Sequence, residues 1–425
     1  MERAAAYHLG FAGSSIRSSP FHPGRFAVAA AANFGIVGNG KLSVVLQAAD
    51  ASLQCEAELL TNDGLYDCAW SELHEHQVVG ACGDGSIKLW DLQSAAQHGG
   101  RPLASLHEHT AEACGVDWNL VRKDCFASCS WDHTVKVWEP ERLVLLATLA
   151  EHTSCVYEVK WHPSHPERLL SASGDRTVRL WEPRAGPSAQ LTCVAGEQEV
   201  LSVDWNKYDE HCFATGAVDK TVRLWDLRAP QQPVQVLAAH TFAVRRVRFC
   251  PHSAAQLLSA SYDMSVCLWD VVTATHRPLQ QFNHHSEFVI GLEWSLFQEG
   301  WPQLTLTLTL TLTLTLIPNP ALLLPLSGGH PRELRLGQLV ACVASECAPA
   351  AATRSAEVTP LTLELGCSET SKEREQTYMV RIERASLTHV SAVCVCVSLC
   401  GSPRPRVCLY VSRYEPLINF AGRHF

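Results

Sequence analysis

The most regular feature of the chain is a short alternation of polar and apolar residues that recurs five times. Each copy carries an aspartate and, six residues later, a tryptophan, with side chains alternating between them as in Thr-Val-Arg-Leu-Trp. Alternation at period two is typical of a β-strand with one buried face, and the aspartate ahead of it favours a tight turn. Successive tryptophans are 43 to 48 residues apart, in the pairs Asp84 and Trp90, Asp132 and Trp138, Asp175 and Trp181, Asp219 and Trp225, and Asp263 and Trp269.

A second apolar element precedes each turn, and it ends in a large aromatic residue. Its copies are LYDCAW (65–70), CGVDW (114–118), YEVKW (157–161), LSVDW (201–205), RRVRF (245–249) and IGLEW (290–294). A histidine stands nine residues before four of these aromatics, at His109, His152, His240 and His285. A period of 40 to 50 residues indicates a repeat array in which each repeat forms one small sheet.

This pattern resembles the WD-repeat family, whose blades join a histidine, a turn aspartate, a serine or threonine and the tryptophan in a buried hydrogen-bond network. The resemblance implies an all-β fold, a seven-bladed WD-repeat β-propeller. The repeat at 198–228 has Gly196 where the histidine belongs, so we expect its network to be incomplete. Five copies at one period indicate a scaffold rather than a catalytic or metal site. The matching triads are His109 with Asp132 and Trp138, His152 with Asp175 and Trp181, and His240 with Asp263 and Trp269.

The repeats predict six blades and the beginning of a seventh. For an atypical first blade we expect strands at 7–11, 25–31, 34–40 and 41–47. Five clear blades follow at about 63–92, 110–140, 153–183, 198–228 and 241–271. Residues 284–300 supply one innermost strand, after which no Asp-x5-Trp unit appears. We therefore expect a propeller domain over 1–300 with a truncated seventh blade, and propellers normally close their ring to avoid exposed edges.

The sequence changes character after residue 300. Residues 304–316 alternate leucine and threonine without a break, which periodicity alone would predict to be a β-strand and which is also an aggregation hazard. A dipeptide repeat this pure suggests repeat or intronic DNA read as coding sequence, which sequencing the transcript across codons 295–320 would test. We expect 301–425 to be a non-homologous, low-complexity and largely disordered tail. Its cysteines at 394–408 lack the paired spacing of a structural zinc site.

Charge and cysteine content narrow the function classes. Residues 1–300 contain 34 acidic and 23 basic residues, a balance that favours basic ligands over nucleic acid. No secretory leader or apolar run of membrane-spanning length is evident, so we expect the 18 cysteines to be reduced thiols. No nucleophile–base pair, phosphate loop or carboxylate dyad appears, so we expect neither an enzyme nor a cofactor or metal.

The segments between the repeats carry a more specific resemblance. TNDGLYDCAWSELHEHQVVGACGDGSIKLWD (61–91), WNKYDEHCFATGAVDKTVRLWDLRAPQQPV (205–234) and PFHPGRFAVAAAANFGIVGNGKLSVV (20–45) are similar to the peroxin 7 family. The resemblance implies a cytosolic receptor that cycles to the peroxisome and binds the N-terminal type-2 targeting signal of matrix proteins, Arg/Lys-Leu/Val/Ile-x5-His/Gln-Leu/Ala. It also implies a co-receptor (the type-1 signal receptor or an equivalent) and docking proteins as partners.

The blade template places candidate contacts on one face of the propeller. For the signal peptide, a short amphipathic helix docked in a groove, these are Asp63, Tyr66, Glu112, Trp131, Tyr157, Glu199, Tyr262 and Glu287. Arg245 is a candidate co-receptor contact. An alternative function is a substrate adaptor of a cullin-4 ubiquitin ligase, because WDLR (225–228) resembles the W-D-x-R box of such adaptors, with Arg228 as the contact. A generic protein-interaction scaffold is a third possibility.

Overall fold

A computed structural model of the chain describes residues 9–32, 38–48, 52–273, 276–283, 285 and 287–297 in full, and the backbone alone of seven strands beyond residue 303. The chain divides into two compact units, Met1–Ala348 and Pro349–Phe425.

The first unit contains six four-stranded antiparallel sheets, each formed by four consecutive strands. Their bounds are β1 Ala12–Ser18, β2 Arg25–Ala31, β3 Gly40–Gln47 and β4 Leu53–Thr61; β5 Leu65–Trp70, β6 Gln77–Cys82, β7 Ile87–Asp91 and β8 Ala104–Leu106; β9 Ala113–Trp118, β10 Phe126–Ser130, β11 Val135–Glu139 and β12 Val144–Leu149; β13 Val156–Trp161, β14 Leu169–Ser173, β15 Thr177–Trp181 and β16 Leu191–Val194; β17 Val200–Trp205, β18 Cys212–Ala217, β19 Val222–Asp226 and β20 Gln235–Leu237; β21 Val244–Phe249, β22 Gln256–Ser261, β23 Val266–Asp270 and β24 Gln280–Phe282. A short helix α1, Leu92–Gln97, follows β7 and is capped by Asp91, whose carboxylate accepts the backbone N–H of Ser94.

Burial follows the position of each strand in its sheet. The second strand β10 is buried throughout, whereas the outer strand β12 is exposed or half-buried except at its last residue, Leu149. The apolar clusters join neighbouring sheets: Val137 and Leu149 of the third pack with Trp161 and Trp181 of the fourth. Each sheet thus buries both faces against its neighbours, which one four-stranded sheet could not do alone.

The innermost strands form a ring around a central channel. The first strands β1, β5, β9, β13, β17 and β21 contact one another in succession, and β25 (Phe288–Trp294) contacts both β21 and β1. The strands of the sheet that contains β25 are not arranged in chain order. It pairs antiparallel with β28 (Val340–Ser345), which pairs parallel with β26 (Leu304–Thr309), itself antiparallel to β27 (Thr313–Pro318). The protein is therefore an all-β propeller with six complete blades, and a regular seventh blade remains a prediction.

The second unit is described only as backbone. It contains two antiparallel pairs, β29 (Leu365–Cys367) with β30 (Tyr378–Val380) and β31 (Ala392–Ser398) with β32 (Arg406–Ser412). The predicted disorder of 301–425 otherwise falls outside the described residues. The compact first unit extends past residue 300 to Ala348, whereas the predicted propeller domain ends at residue 300.

The first blade differs from its prediction. The innermost strand is β1, not 7–11, since residues 9–11 are not in a strand and residues 7 and 8 lie outside the described part. Ser18 pairs with Phe26 in the same way as Trp118 pairs with Phe126 in the third blade. A serine therefore stands where the other innermost strands end in an aromatic residue, and the sequence pattern does not reveal this strand. Of the strand predicted at 34–40, residues 34–37 lie outside the described part, Gly38 and Asn39 are not in a strand, and Gly40 is the first residue of β3; the fourth strand is β4.

Candidate peptide-binding face

Two kinds of loop meet at one end of the propeller. The turn that carries the repeat aspartate is bonded, backbone to backbone, to the loop that enters the innermost strand of the same blade. The bonds are Gly83 N to Gly64 O, Trp131 N to Glu112 O, Val218 N to Glu199 O and Tyr262 N to Ala243 O, at 2.8 to 3.1 Å. We call this end the top face, and the opposite end, formed by the loops between the first and second strands, the bottom face.

Three blades carry the full four-residue network below the top face. His109 Nδ1 lies 2.8 Å from Asp132 Oδ2, its Nε2 lies 2.8 Å from Ser128 Oγ, and Trp138 Nε1 donates to the same hydroxyl. The other two networks repeat this arrangement with His152, Asp175, Ser171 and Trp181, and with His240, Asp263, Ser259 and Trp269.

In the network at His240, burial and hydrogen bonding shift the pKa of Asp263 in opposite directions. Trp269 Nε1 donates to Ser259 Oγ at 2.8 Å, and the whole Trp269 side chain is 0% exposed. Burial alone would raise the pKa of Asp263, but hydrogen bonding and attraction from His240 outweigh it and lower that pKa to about 2.

The repeat tryptophans are therefore core residues and not part of a ligand-contacting surface. Trp269, like Trp90 and Trp181, is completely buried, and Trp138 and Trp225 are 1% and 2% exposed. Although the sequence pattern marks Trp269 as one of the most regular positions of the chain, its indole is out of reach of any ligand. Through Ser259 and His240 its indole is linked to the turn aspartate Asp263.

In two blades, side chains other than histidine contact the turn aspartate. At 198–228, where Gly196 replaces the histidine, Arg223 Nη1 approaches Asp219 Oδ2 to 2.7 Å, and Trp225 Nε1 donates to Thr215. In the second blade Lys88 and Ser86 engage Asp84. Gly80 stands there at the register position of Ser128, and Trp90 Nε1 has no hydrogen-bond partner among the described residues.

Every innermost strand carries a bulge near its top end. In each pairing with the neighbouring strand of its sheet, the register shifts across one unpaired residue. These residues are Ser14, Tyr66, Cys114, Tyr157, Leu201, Arg245 and Ile290. A bulge re-aims the side chain of its extra residue and bends the strand. The bulges therefore place a ring of seven side chains around the upper end of the channel, three of which (Tyr66, Tyr157 and Arg245) are predicted contacts.

In four blades the size of the bulged residue is matched to the residue before the turn aspartate of the same blade. Tyr66 faces Gly83 and Tyr157 faces Gly174, where an added Cβ would lie 3.2 and 3.4 Å from the tyrosine ring. Conversely, Cys114 shares its blade with Trp131, and Arg245 with Tyr262. Each of these four blades thus presents one aromatic side chain, either on the bulge or on the turn.

The predicted carboxylates lie beside these aromatics. Tyr157 Oη donates to Glu199 Oε2 of the next blade at 2.9 Å, and burial raises the pKa of Glu199 despite that bond. Burial, with the charges of Glu112 and Asp63, raises the pKa of Tyr66 to about 12. Glu287 is half-buried and precedes Phe288, whose ring meets that of Tyr262 edge-on at 5.2 Å.

All eight predicted peptide contacts are half-buried, as is Arg245, whose Nη1 donates to Leu201 O at 3.4 Å. Half-buried aromatics beside carboxylates can receive a basic residue together with apolar side chains. The top face therefore has the chemistry of a docking site for a basic amphipathic peptide.

Comparison with known proteins places the chain in a family. The family model for the WD domain, G-beta repeat, matches residues 53–91, 100–139, 143–182, 188–226 and 231–270. A Dictyostelium discoideum protein named peroxisomal targeting signal 2 receptor is 48% identical over 294 residues, which is 69% of this chain and 92% of that protein. The chain belongs to the peroxisomal targeting signal 2 receptor family. Peroxisome biogenesis protein 7 of Arabidopsis thaliana is 44% identical over 291 residues (68% of this chain, 90% of that protein), and the human peroxisomal targeting signal 2 receptor 42% over 281 residues (66% and 85%).

In this family member the channel is crossed by buried ion pairs that the sequence pattern did not predict. Arg246 Nη1 lies 2.6 Å from Glu158 Oε1, Arg248 Nη2 lies 2.7 Å from the same oxygen, and Arg17 Nη2 lies 3.1 Å from Asp67. Burial of Glu158 would raise its pKa, yet the two arginines hold it well below the ordinary value. One signal was available for Arg248: the residue before each aromatic is charged in five repeats, at Asp117, Lys160, Asp204, Arg248 and Glu293.

Arg228 lies apart from the top face, just after the third strand of its blade. Its guanidinium is exposed and pairs with Asp226 of the same turn at 2.6 Å, so the WDLR sequence forms a local ion pair. Among the described residues, no group of three or more histidine, cysteine, aspartate or glutamate side chains has a metal-binding arrangement. In the same part of the chain, no helix is long and apolar enough to span a membrane.

Proposed function

We propose that this protein is a receptor for the type-2 peroxisomal targeting signal and that its top face binds the signal peptide. The 48% identity to a protein of that name carries the proposal. The geometry supports it, because the bulged tyrosines and their neighbouring acids offer both aromatic surfaces and carboxylates to a basic amphipathic helix.

The proposed binding mode assigns a role to each part of the face. Glu112 with Asp63, and Glu199 two blades after Glu112, receive the Arg or Lys of the signal. Tyr66, Trp131, Tyr157 and Tyr262 contact its apolar residues, while Glu287 extends the acidic rim. Arg245 contacts a co-receptor.

The wider role is that of a shuttling receptor. It binds matrix proteins in the cytosol, joins a co-receptor (the type-1 signal receptor or an equivalent) and delivers the cargo to docking proteins at the peroxisome. A seven-bladed ring belongs to this proposal, since β25 already contacts both β1 and β21 as the innermost strand of a seventh blade would.

Peptide binding by the full chain tests the receptor proposal. A fluorescent Arg-Leu-x5-His-Leu peptide is expected to bind, and the same peptide with Glu in place of Arg is expected not to. Glu112→Gln should weaken binding about tenfold, the scale of one lost charge-assisted hydrogen bond. Glu108→Gln, an exposed position in the same loop, is the matched control and should bind as the parent does.

Two results would overturn the proposal. One is failure of the folded protein to bind the Arg-Leu peptide. The other is equal binding by the Glu112→Gln and Glu108→Gln variants, which would remove the proposed acid from the site. Capture of a cullin-4 adaptor that depends on Arg228, together with absent peptide binding, would favour the ligase alternative.

A further inference from the structure

A small cavity opens at the bottom end of the channel, away from the proposed peptide face. Its volume is about 150 Å³, and Pro20, Leu120, Pro251 and Leu296 are among the residues that line it. Since a water molecule takes about 30 Å³ of liquid volume, this is space for roughly five waters or a ligand the size of one amino acid. Pockets for drug-sized ligands are larger, about 300 to 1,000 Å³.

The walls of the cavity carry both signs of charge in equal number. Arg17, Lys160, Lys207 and Arg248 face Glu72, Asp117, Asp204 and Glu293. A polyanion or a polycation would meet like charges on several sides, which costs binding free energy. A ligand with one positive and one negative group suits such a lining.

Two buried donors in the wall lack an acceptor. Among the described residues, neither Trp161 Nε1 nor Arg248 Nε has a hydrogen-bond partner, and both residues are only 3% exposed. Arg248 Nε lies 3.8 Å from Glu293 Oε2, which is too long for a hydrogen bond. Buried donors of this kind are satisfied by an acceptor, and a carboxylate provides two oxygens.

A carboxylate in the same wall lacks a cation. Within the described part of the chain, Glu72 forms no hydrogen bond or ion pair, and burial raises its pKa although Lys123 opposes the shift. It lines the cavity with Ala69, the uncharged residue that stands before Trp70 where five other repeats have a charged one. An ammonium group would neutralise it.

We infer that the cavity is a binding site for a small zwitterion of single amino-acid size, whose carboxylate accepts from Trp161 and Arg248 and whose ammonium group pairs with Glu72. The inference does not rest on the proposed receptor function, because the cavity and the peptide face lie at opposite ends of the channel.

Calorimetric titration of the full chain tests the site with glycine and L-alanine as zwitterions, acetate as the anion alone and methylammonium as the cation alone. The zwitterions are expected to bind at least tenfold more tightly than either single-charge probe. Glu72→Gln should weaken L-alanine binding at least tenfold, and Trp161→Phe, which removes the Nε1 donor together with part of the ring, should weaken it as well. Glu75→Gln is the control, an exposed glutamate in the same loop.

The variants are first shown to unfold at the parent temperature, so that loss of binding is not loss of fold. Absence of binding by glycine and L-alanine overturns the inference. So does acetate or methylammonium binding as tightly as the zwitterions, or L-alanine binding that is the same in the Glu72→Gln and Glu75→Gln variants. Binding of the targeting-signal peptide is expected to be unchanged in Glu72→Gln, which separates the two sites.

Discussion

A single hydrogen bond between neighbouring blades links the geometry of the top face to its protonation. Tyr157 Oη donates to Glu199 Oε2, and burial of Glu199 raises its pKa above the ordinary value. An ordinary glutamate has a pKa of about 4.3, so Glu199 takes up a proton at a higher pH than that. If this carboxylate receives the basic residue of the signal, acid weakens binding, because the proton and the peptide compete for the same charge.

The pH dependence of peptide affinity follows from this competition. A signal peptide with Gln at its His position does not titrate in the range, so its affinity is expected to fall as the pH drops from 7 towards the raised pKa of Glu199. Glu199→Gln should bind about tenfold more weakly at pH 7 and show a flatter profile, whereas Glu197→Gln, exposed in the same loop, should keep the parent profile. Fluorescence anisotropy at each pH measures both, and identical profiles for parent and Glu199→Gln would contradict the assignment.

At the scale of the strand and its turn, the same side-chain-to-backbone hydrogen bond recurs in the bottom loops, although the residue type that makes it differs. The residue after each aromatic position accepts a backbone N–H from two residues further on, through Ser71, Asn119, His162, Asn206 and their equivalents. Several of these loops also donate a side-chain hydrogen bond to a carbonyl of the next blade. Asn119 Nδ2 reaches Pro166 O at 2.8 Å, and Asn206 Nδ2 reaches Ala254 O at 3.1 Å. The same loops therefore form the turns and connect the blades.

Two substitutions at Asn119 distinguish the hydrogen bond within the turn from the hydrogen bond to the next blade. Asn119→Ser keeps an acceptor for the turn, as Ser71 does in the second blade, but cannot reach Pro166 O, so we expect a loss of about 1 kcal/mol. Asn119→Ala loses both functions, because the backbone N–H groups of Val121 and Arg122 also lose their acceptor, with an expected loss of about 2–3 kcal/mol. Urea unfolding measures the difference, and equal losses in the two variants would show that the turn bond contributes nothing.

Elements were predictable from the sequence where a repeat position keeps its residue type. The turn aspartates and inner aromatics located most inner strands, but β1 was missed because Ser18 replaces the aromatic. The outer strands were not predicted, because those such as β8, β20 and β24 have only three residues each, too few for a period-two pattern to stand out. The sequence predicted that the candidate contacts lie on the top loops, and their role in binding stays a prediction. The side-chain pairs could not be predicted, since the contact of Tyr157 with Glu199 and that of Arg246 with Glu158 depend on how distant repeats face one another.

At the scale of the whole molecule, an odd number of innermost strands constrains the charges that line the lower channel. The position before the aromatic, or before its equivalent Ser18, alternates in sign around the ring: Arg17, then Asp117, Lys160, Asp204, Arg248 and Glu293. Arg17 and Glu293 pair at 3.0 Å where β1 meets β25. Seven positions cannot alternate to closure without two like charges becoming neighbours. Ala69 occupies the remaining position, between Arg17 and Asp117, and its neutrality removes that conflict.

A charge of either sign at position 69 should therefore destabilise the ring. Ala69 is 5% exposed and lines the cavity, so an aspartate there meets Asp117 and a lysine meets Arg17, the latter already paired with Asp67 and Glu293. We expect Ala69→Asp to be less stable than Ala69→Asn, and Ala69→Lys less stable than Ala69→Met, each by about 2 kcal/mol or more. The neutral partner of each pair reports the cost of volume alone. Because the ionised form is disfavoured, the aspartate–asparagine difference should shrink as the pH is lowered and the new carboxyl takes up a proton. Unfolding curves at pH 7 and pH 5 measure both effects, and charged variants as stable as their neutral partners would show that the alternating ring tolerates a seventh charge.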